Sequence, residues 1–71
     1  MVKPTEFLDD LYLKLEEIRC KHELSKENFS ESIGKHRNWY QQALREKTDI
    51  GVVELMLLAK NFNVKASDLL E

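Results

Sequence analysis

The sequence predicts an all-α fold, a compact five-helix bundle forming a single domain over residues 1–71. Three observations point to it. Apolar residues recur at spacings of three and four along most of the chain, the period of an amphipathic helix. The only strong punctuators are Pro4, Gly34 and Gly51, too few for a turn-rich β fold. Finally, 71 residues with 42% hydrophobic and 34% charged side chains suffice for one core and do not have the composition of a disordered chain.

The first helix is expected to start near Thr5, an N-cap directly after Pro4, with Glu6, Asp9 and Asp10 where the helix dipole favours negative charge. Leu8, Leu11, Leu15, Ile18 and His22 mark its buried stripe, and Lys21 and His22 sit near its C-terminal end, where the helix dipole favours positive charge. Leu13 falls off the stripe, roughly opposite Leu11 on the helical wheel. The second helix follows an N-cap at Ser25, with Asn28 at the third helical position and Leu24 and Phe29 spaced for a hydrophobic staple. Phe29 and Ile33 face inward, and Gly34 ends the helix by supplying a positive φ.

The third helix is expected over residues 36–44. Trp39, Tyr40, Ala43 and Leu44 give it an apolar side, with Tyr40 in the core and Trp39 at its rim. Arg37, Asn38, Gln41 and Gln42 occupy the other side. Residues 45–50 read as a polar connection. The fourth helix starts after Gly51, with Glu54 at its third position and Val52, Leu55, Leu58, Ala59 and Phe62 as its core stripe. Asn63 suits the left-handed position that closes it. Val64 then packs inward, and a last short helix over residues 66–70 is held by Leu69 and Leu70.

Several classes of function lack support in the residues. No apolar run approaches the roughly 18 residues of a membrane span, and no signal peptide is read at the start. Cys20 has no partner in the chain, so a free structural thiol and a reducing cytoplasm are expected. His22 and His36 lack the spaced ligands of a metal site and read as surface histidines. Ser25, Ser30, Ser32 and Ser67 are accounted for as caps or helix surface, with no base and orienting acid converging on them. Glu16 and Glu17 are adjacent on a helix, diverge, and suit solvent better than acid–base work. Neither a glycine-rich phosphate loop nor another cofactor motif is present. An enzyme, a cofactor and a small-molecule substrate are therefore not expected.

The net charge is −2, which by itself does not suggest nucleic acid. Its distribution is uneven. Residues 1–24 carry four basic and six acidic side chains, and residues 48–71 carry two and four. Residues 25–47 carry five basic (Lys26, Lys35, Arg37, Arg45, Lys47) against three acidic (Glu27, Glu31, Glu46). A phosphate-binding surface needs local positive charge more than a positive total, and the middle third offers it.

The run Leu24-Ser25-Lys26-Glu27-Asn28-Phe29-Ser30-Glu31-Ser32-Ile33-Gly34 resembles the second helix and turn of the lambda-repressor-like, or Cro-type, helix-turn-helix family, whose usual pattern there is Leu-Ser-Gln-Glu-x-Leu-Ala-x-x-x-Gly. Residues 55–64 resemble the family's fourth helix, and Asp68-Leu69-Leu70 its closing helix. The resemblance runs without gaps from about Leu15 to Leu70. It implies a DNA-binding domain in which the Gly34 turn presents residues 36–44 as a recognition helix for the major groove of double-stranded DNA. Carried over by position, His36, Arg37, Asn38 and Gln42 would face base edges, where Arg suits guanine and Asn and Gln suit adenine. Lys26, Lys35, Arg45 and Lys47 would meet phosphates. A symmetric dimer with one recognition helix per half-site would follow.

The chain also departs from the family pattern. Position 44 is Leu where the family usually has an acidic residue, so the usual buried pair with Arg19 is not available. Lys35 replaces a small aliphatic residue after the turn glycine, and Glu46 replaces a glycine common just past the recognition helix. Val53 and Leu57, four apart on the fourth helix beside Met56, lie off its core stripe at positions the family commonly makes polar. With Leu13 they suggest a protein contact surface. Two functions follow: a transcriptional regulator of a phage or mobile-element switch that binds operator DNA, or a modulator that binds a partner repressor protein and alters its DNA occupancy.

Overall fold

A computed structural model describes residues 4–70, and among them all regular structure is helical. In chain order the helices are α1 (Pro4–Lys21), α2 (Lys26–Ser32), α3 (Trp39–Glu46), α4 (Val52–Asn61) and α5 (Ala66–Leu70). The five expected helices are therefore present, with shifted ends. Thr5 lies within α1, whose described part begins at Pro4, so it is not the cap expected of it; proline suits a first helical turn because it has no N–H to leave unsatisfied there.

The core is one cluster drawn from every helix: Leu11, Tyr12, Leu15, Phe29, Ile33, Tyr40, Ala43, Leu55, Leu58, Ala59, Phe62 and Leu69. Leu8, Ile18, Leu24, Trp39, Leu44, Ile50 and Val64 pack half-buried around it. Aromatic rings fill its centre. Phe29 meets Tyr40 edge-on at 4.6 Å between centroids and stacks on Phe62 at 5.2 Å. Tyr12 is fully buried, although the expected α1 stripe omitted it; it lies four residues after Leu8 and three before Leu15, so the helical period places it on the stripe's flank. His22 corrects that stripe in the other direction. It is exposed, and its ring covers Phe62 at 5.0 Å instead of entering the core.

Two further expectations are overturned. Val52 is 72% exposed and does not belong to the α4 core stripe. Helical side chains lean toward the N-terminus, and at the first position no preceding turn exists for Val52 to cover. Ser30 is neither cap of its own helix nor surface: it is completely buried, for reasons that concern α3. At α5, Leu69 is buried as expected, while the expectation for the Leu70 side chain lies outside the described residues. Cys20 is exposed on α1 and so contributes little to packing.

Helix ends are set by local hydrogen bonds. The Ser25 Oγ accepts the Asn28 N–H at 3.0 Å, the N-cap expected of it. At the far end of α2 the Lys35 N–H donates to the Ser30 carbonyl and the Gly34 N–H to the Glu31 carbonyl, both at 3.1 Å. This is the Schellman pair, and it requires the positive φ of 77° found at Gly34. Asn63 takes the expected left-handed conformation at the end of α4. Glu23 and Lys47 do the same after α1 and α3 without the backbone freedom of glycine, so each carries a local strain.

Candidate nucleic-acid interface

α2 and α3 pack on each other more extensively than any other pair of helices. Between them residues 33–38 form a turn, in which the Trp39 N–H donates to the His36 carbonyl at 3.0 Å. α3 thus begins at Trp39, three residues later than the sequence suggests, and continues through Arg45 and Glu46. His36, Arg37 and Asn38 sit in the turn and at the N-cap, not on the helix. All three are exposed, and the His36 Nδ1 accepts the Asn38 N–H at 3.2 Å.

The inner face of α3 is fixed from two sides. Tyr40 and Ala43 are buried, with Trp39 and Leu44 at the rim. Asn38 occupies the N-cap but makes no side-chain cap bond. Instead the Tyr40 N–H, one of the helix's unsatisfied donors, is accepted at 2.8 Å by the buried Ser30 Oγ, which itself donates to the Lys26 carbonyl at 3.0 Å. Ser30 therefore caps α3 from α2. From the other side, the Tyr40 hydroxyl donates to Glu16 Oε1 on α1 at 3.0 Å.

Glu16 is half-buried and central to a network, which corrects its reading as a solvated residue. Its Oε2 pairs with Arg19 Nη2 at 2.6 Å, and Arg19 Nη1 donates to the Leu24 carbonyl at 2.8 Å. With Leu at position 44, Arg19 thus takes its carboxylate from one turn back on its own helix. Burial pushes the Glu16 carboxyl up, but hydrogen bonds from Arg19 and Tyr40, with the nearby Arg19 and Lys26 charges, outweigh it and hold the group below its ordinary range. Tyr40 is driven strongly upward, first by burial and then by the Glu16 charge. Burial, helped by Asp49, raises Tyr12 to about 12, and its hydroxyl donates to the Thr48 carbonyl.

The outer face of α3 is polar. Asn38, Gln41, Gln42 and Arg45 line a shallow depression along one ridge, at spacings of three and four. The four base-contact candidates therefore divide. Asn38 and Gln42 share this ridge, while His36 and Arg37 lie in the turn before it. Gln41 and Arg45 join the ridge, Gln41 having been left out of the site expected from sequence.

The cations are unequally placed. Arg37 and Arg45 are exposed, and Lys26 is half-buried within the field of Glu16. Lys35 Nζ pairs with Glu54 Oε1 at 2.7 Å and stands 5.8 Å from the Trp39 ring centre. Lys47 Nζ lies 3.7 Å from Asp9 and 5.2 Å from the centre of the Tyr12 ring. Two of the four phosphate candidates thus already have a carboxylate partner.

A second surface lies on α4. Val52, Val53, Met56 and Leu57 are 72%, 69%, 61% and 36% exposed, forming one apolar stripe away from the core. Val52 was the member missed from sequence; its place at the first helical position was the available signal. Leu13 is also exposed, on α1. Among the described residues no helix is long and apolar enough to cross a membrane, and no group of three His, Cys, Asp or Glu could hold a metal ion. Comparison with known proteins finds no family model, no curated protein and no solved structure that matches this chain.

Proposed function

We propose that this protein is a small helix-turn-helix transcriptional regulator of a phage or mobile-element switch, binding operator DNA through α3. The observation that carries the reading is the exposed ridge of Asn38, Gln41, Gln42 and Arg45 on a helix whose opposite face is locked by Ser30 and Tyr40. Amides and guanidinium groups are the side chains that read base edges, and a fixed helix limits the entropy lost when they do so. Arg37 and His36 in the preceding turn extend the contact at the N-terminal end of α3. Arg45 and Lys26 are the cations best placed for phosphate, whereas Lys35 and Lys47 must first leave Glu54 and Asp9. The symmetric form of this reading is a dimer on two half-sites about one helical turn apart.

The test is selection of a preferred duplex from a random pool at stated salt, followed by titration of variants. Arg37→Ala is expected to weaken binding by about 1–3 kcal/mol and to relax preference at one base pair. Equal affinity of variant and wild type for every duplex would refute the assignment.

The α4 stripe favours a second reading, in which the chain modulates a partner repressor by binding it. Four adjacent apolar side chains on one helix exceed the scatter of single exposed residues. Met56→Asp places a charge in the middle of that stripe. It should abolish co-purification with a repressor from the native host while the helical circular dichroism is unchanged. A complex that survives the substitution excludes α4 as the contact.

A further inference from the structure

Glu54 has two engagements that belong to different helices. As the third residue of α4 it folds back toward the helix start, where Gly51 supplies no side-chain cap. Its Oε2 stands only 2.5 Å from where a Cβ on Gly51 would be, so the absence of that Cβ makes the position available. Its Oε1 takes the ammonium of Lys35, at the exit of the Gly34 turn and beside Trp39 at the start of α3. A carboxylate is thus bound by a helix start and a lysine, the pair of groups that would otherwise attract a phosphate oxygen. The Lys35 hydrogen bond, then a backbone hydrogen bond and the Lys35 charge, hold the Glu54 carboxyl below its ordinary range.

We propose that Glu54 is an internal stand-in for DNA phosphate, withholding Lys35 from the backbone of a bound duplex and so setting the protein's affinity. This rests on the DNA-binding reading above. The pair is accessible to solvent, with Lys35 and Glu54 side chains 33% and 24% exposed, and ion pairs of this kind are weak enough to exchange. Removing the carboxylate charge therefore releases a cation next to the residues that would enter the groove.

The experiment is the salt dependence of binding to a selected duplex, measured for wild type, Glu54→Gln, Lys35→Met and the double variant. Glutamine retains an acceptor that can reach the start of α4, and circular dichroism verifies that each variant is folded. Each phosphate newly paired with a cation steepens the slope of log K against log salt by about 0.9. The expected result is a slope steeper by that amount for Glu54→Gln, with tighter binding at low salt. Wild type, Lys35→Met and the double variant share the shallower slope. An unchanged slope for Glu54→Gln overturns the proposal. A slope shallower by about 0.9 for Lys35→Met alone also overturns it, since Lys35 would then already contact phosphate in the wild type. That second comparison stands even if Glu54→Gln fails to fold. Absence of duplex binding by all four proteins overturns the DNA-binding reading and this proposal together, whereas sequence-specific binding with equal slopes overturns only the latter.

Discussion

Replacing Ser30 with alanine removes a single oxygen, yet it should be among the most damaging small changes in the chain. The Ser30 side chain is completely buried, and its oxygen is the acceptor for the Tyr40 N–H at 2.8 Å. Without it that donor is left unsatisfied at the buried start of α3, at a cost of about 1–3 kcal/mol. The Lys26 carbonyl also loses the Ser30 hydroxyl, but it lies in the first turn of α2 and keeps the ordinary helical acceptor role. Asn38 is the residue positioned to compensate. Its backbone, at φ −92° and ψ 0°, is not in the extended conformation from which an N-cap side chain reaches the next turn. The loss should therefore fall near the middle of the range, about 2 kcal/mol. For a domain of this size each kcal/mol moves the melting temperature by about 4–8 °C, so the expected fall is about 8–16 °C. Thermal and urea unfolding followed by circular dichroism measures it. Ser32→Ala is the control. Its hydroxyl donates to the Phe29 carbonyl at 2.6 Å from an exposed position, and its loss should stay within about 0.5 kcal/mol. A Ser30→Ala melting temperature within about 2 °C of wild type, or a larger effect at Ser32, would refute the role given to Ser30 as the cap of α3.

Three further outcomes follow from the same geometry. Because the folded Glu16 carboxyl is held below its ordinary value of 4.5, its contribution is complete above that value and is lost as pH falls through the lower, folded one; Glu16→Gln should flatten the acid limb of the stability–pH curve, and an identical limb would refute the network. Tyr12 behaves in the opposite sense: raised from 10 to about 12, its contribution is complete below pH 10 and disappears as pH rises toward 12, so Tyr12→Phe should reduce alkaline destabilisation in a urea titration at high pH. Gly34→Ala meets no atom within 4 Å of the new Cβ, so its cost is purely that of a left-handed alanine at φ 77°, about 1–2 kcal/mol less a few tenths regained from the unfolded chain; stability equal to wild type would show that the turn can relax.

The features legible in the chain were those that depend on near neighbours. Ser25 capping α2, Gly34 and Asn63 in left-handed closures, and the stripes built on Leu11, Leu15, Phe29, Ile33, Leu55 and Leu58 all follow from local bonding and a period of 3.6 residues. The polar character of the outer side of α3 was legible for the same reason. Its first turn was not. Arg37 and Asn38 have ordinary helical propensity, but the turn after Gly34 consumes residues through Asn38, and only the packing of α3 on α2 decides where the helix begins.

By itself the sequence determined the helical class, the number of helices and most of the core, because an amphipathic period and a few caps suffice to specify them. Tertiary structure alone decided which polar groups meet across helices. Ser30 finds the Tyr40 N–H, Tyr40 finds Glu16, and Lys35 finds Glu54 over separations of 10, 24 and 19 residues, where no periodicity connects the partners. It also decided that Val52, indistinguishable by type from a core valine, stands in solvent at a helix start with no neighbouring turn to cover it.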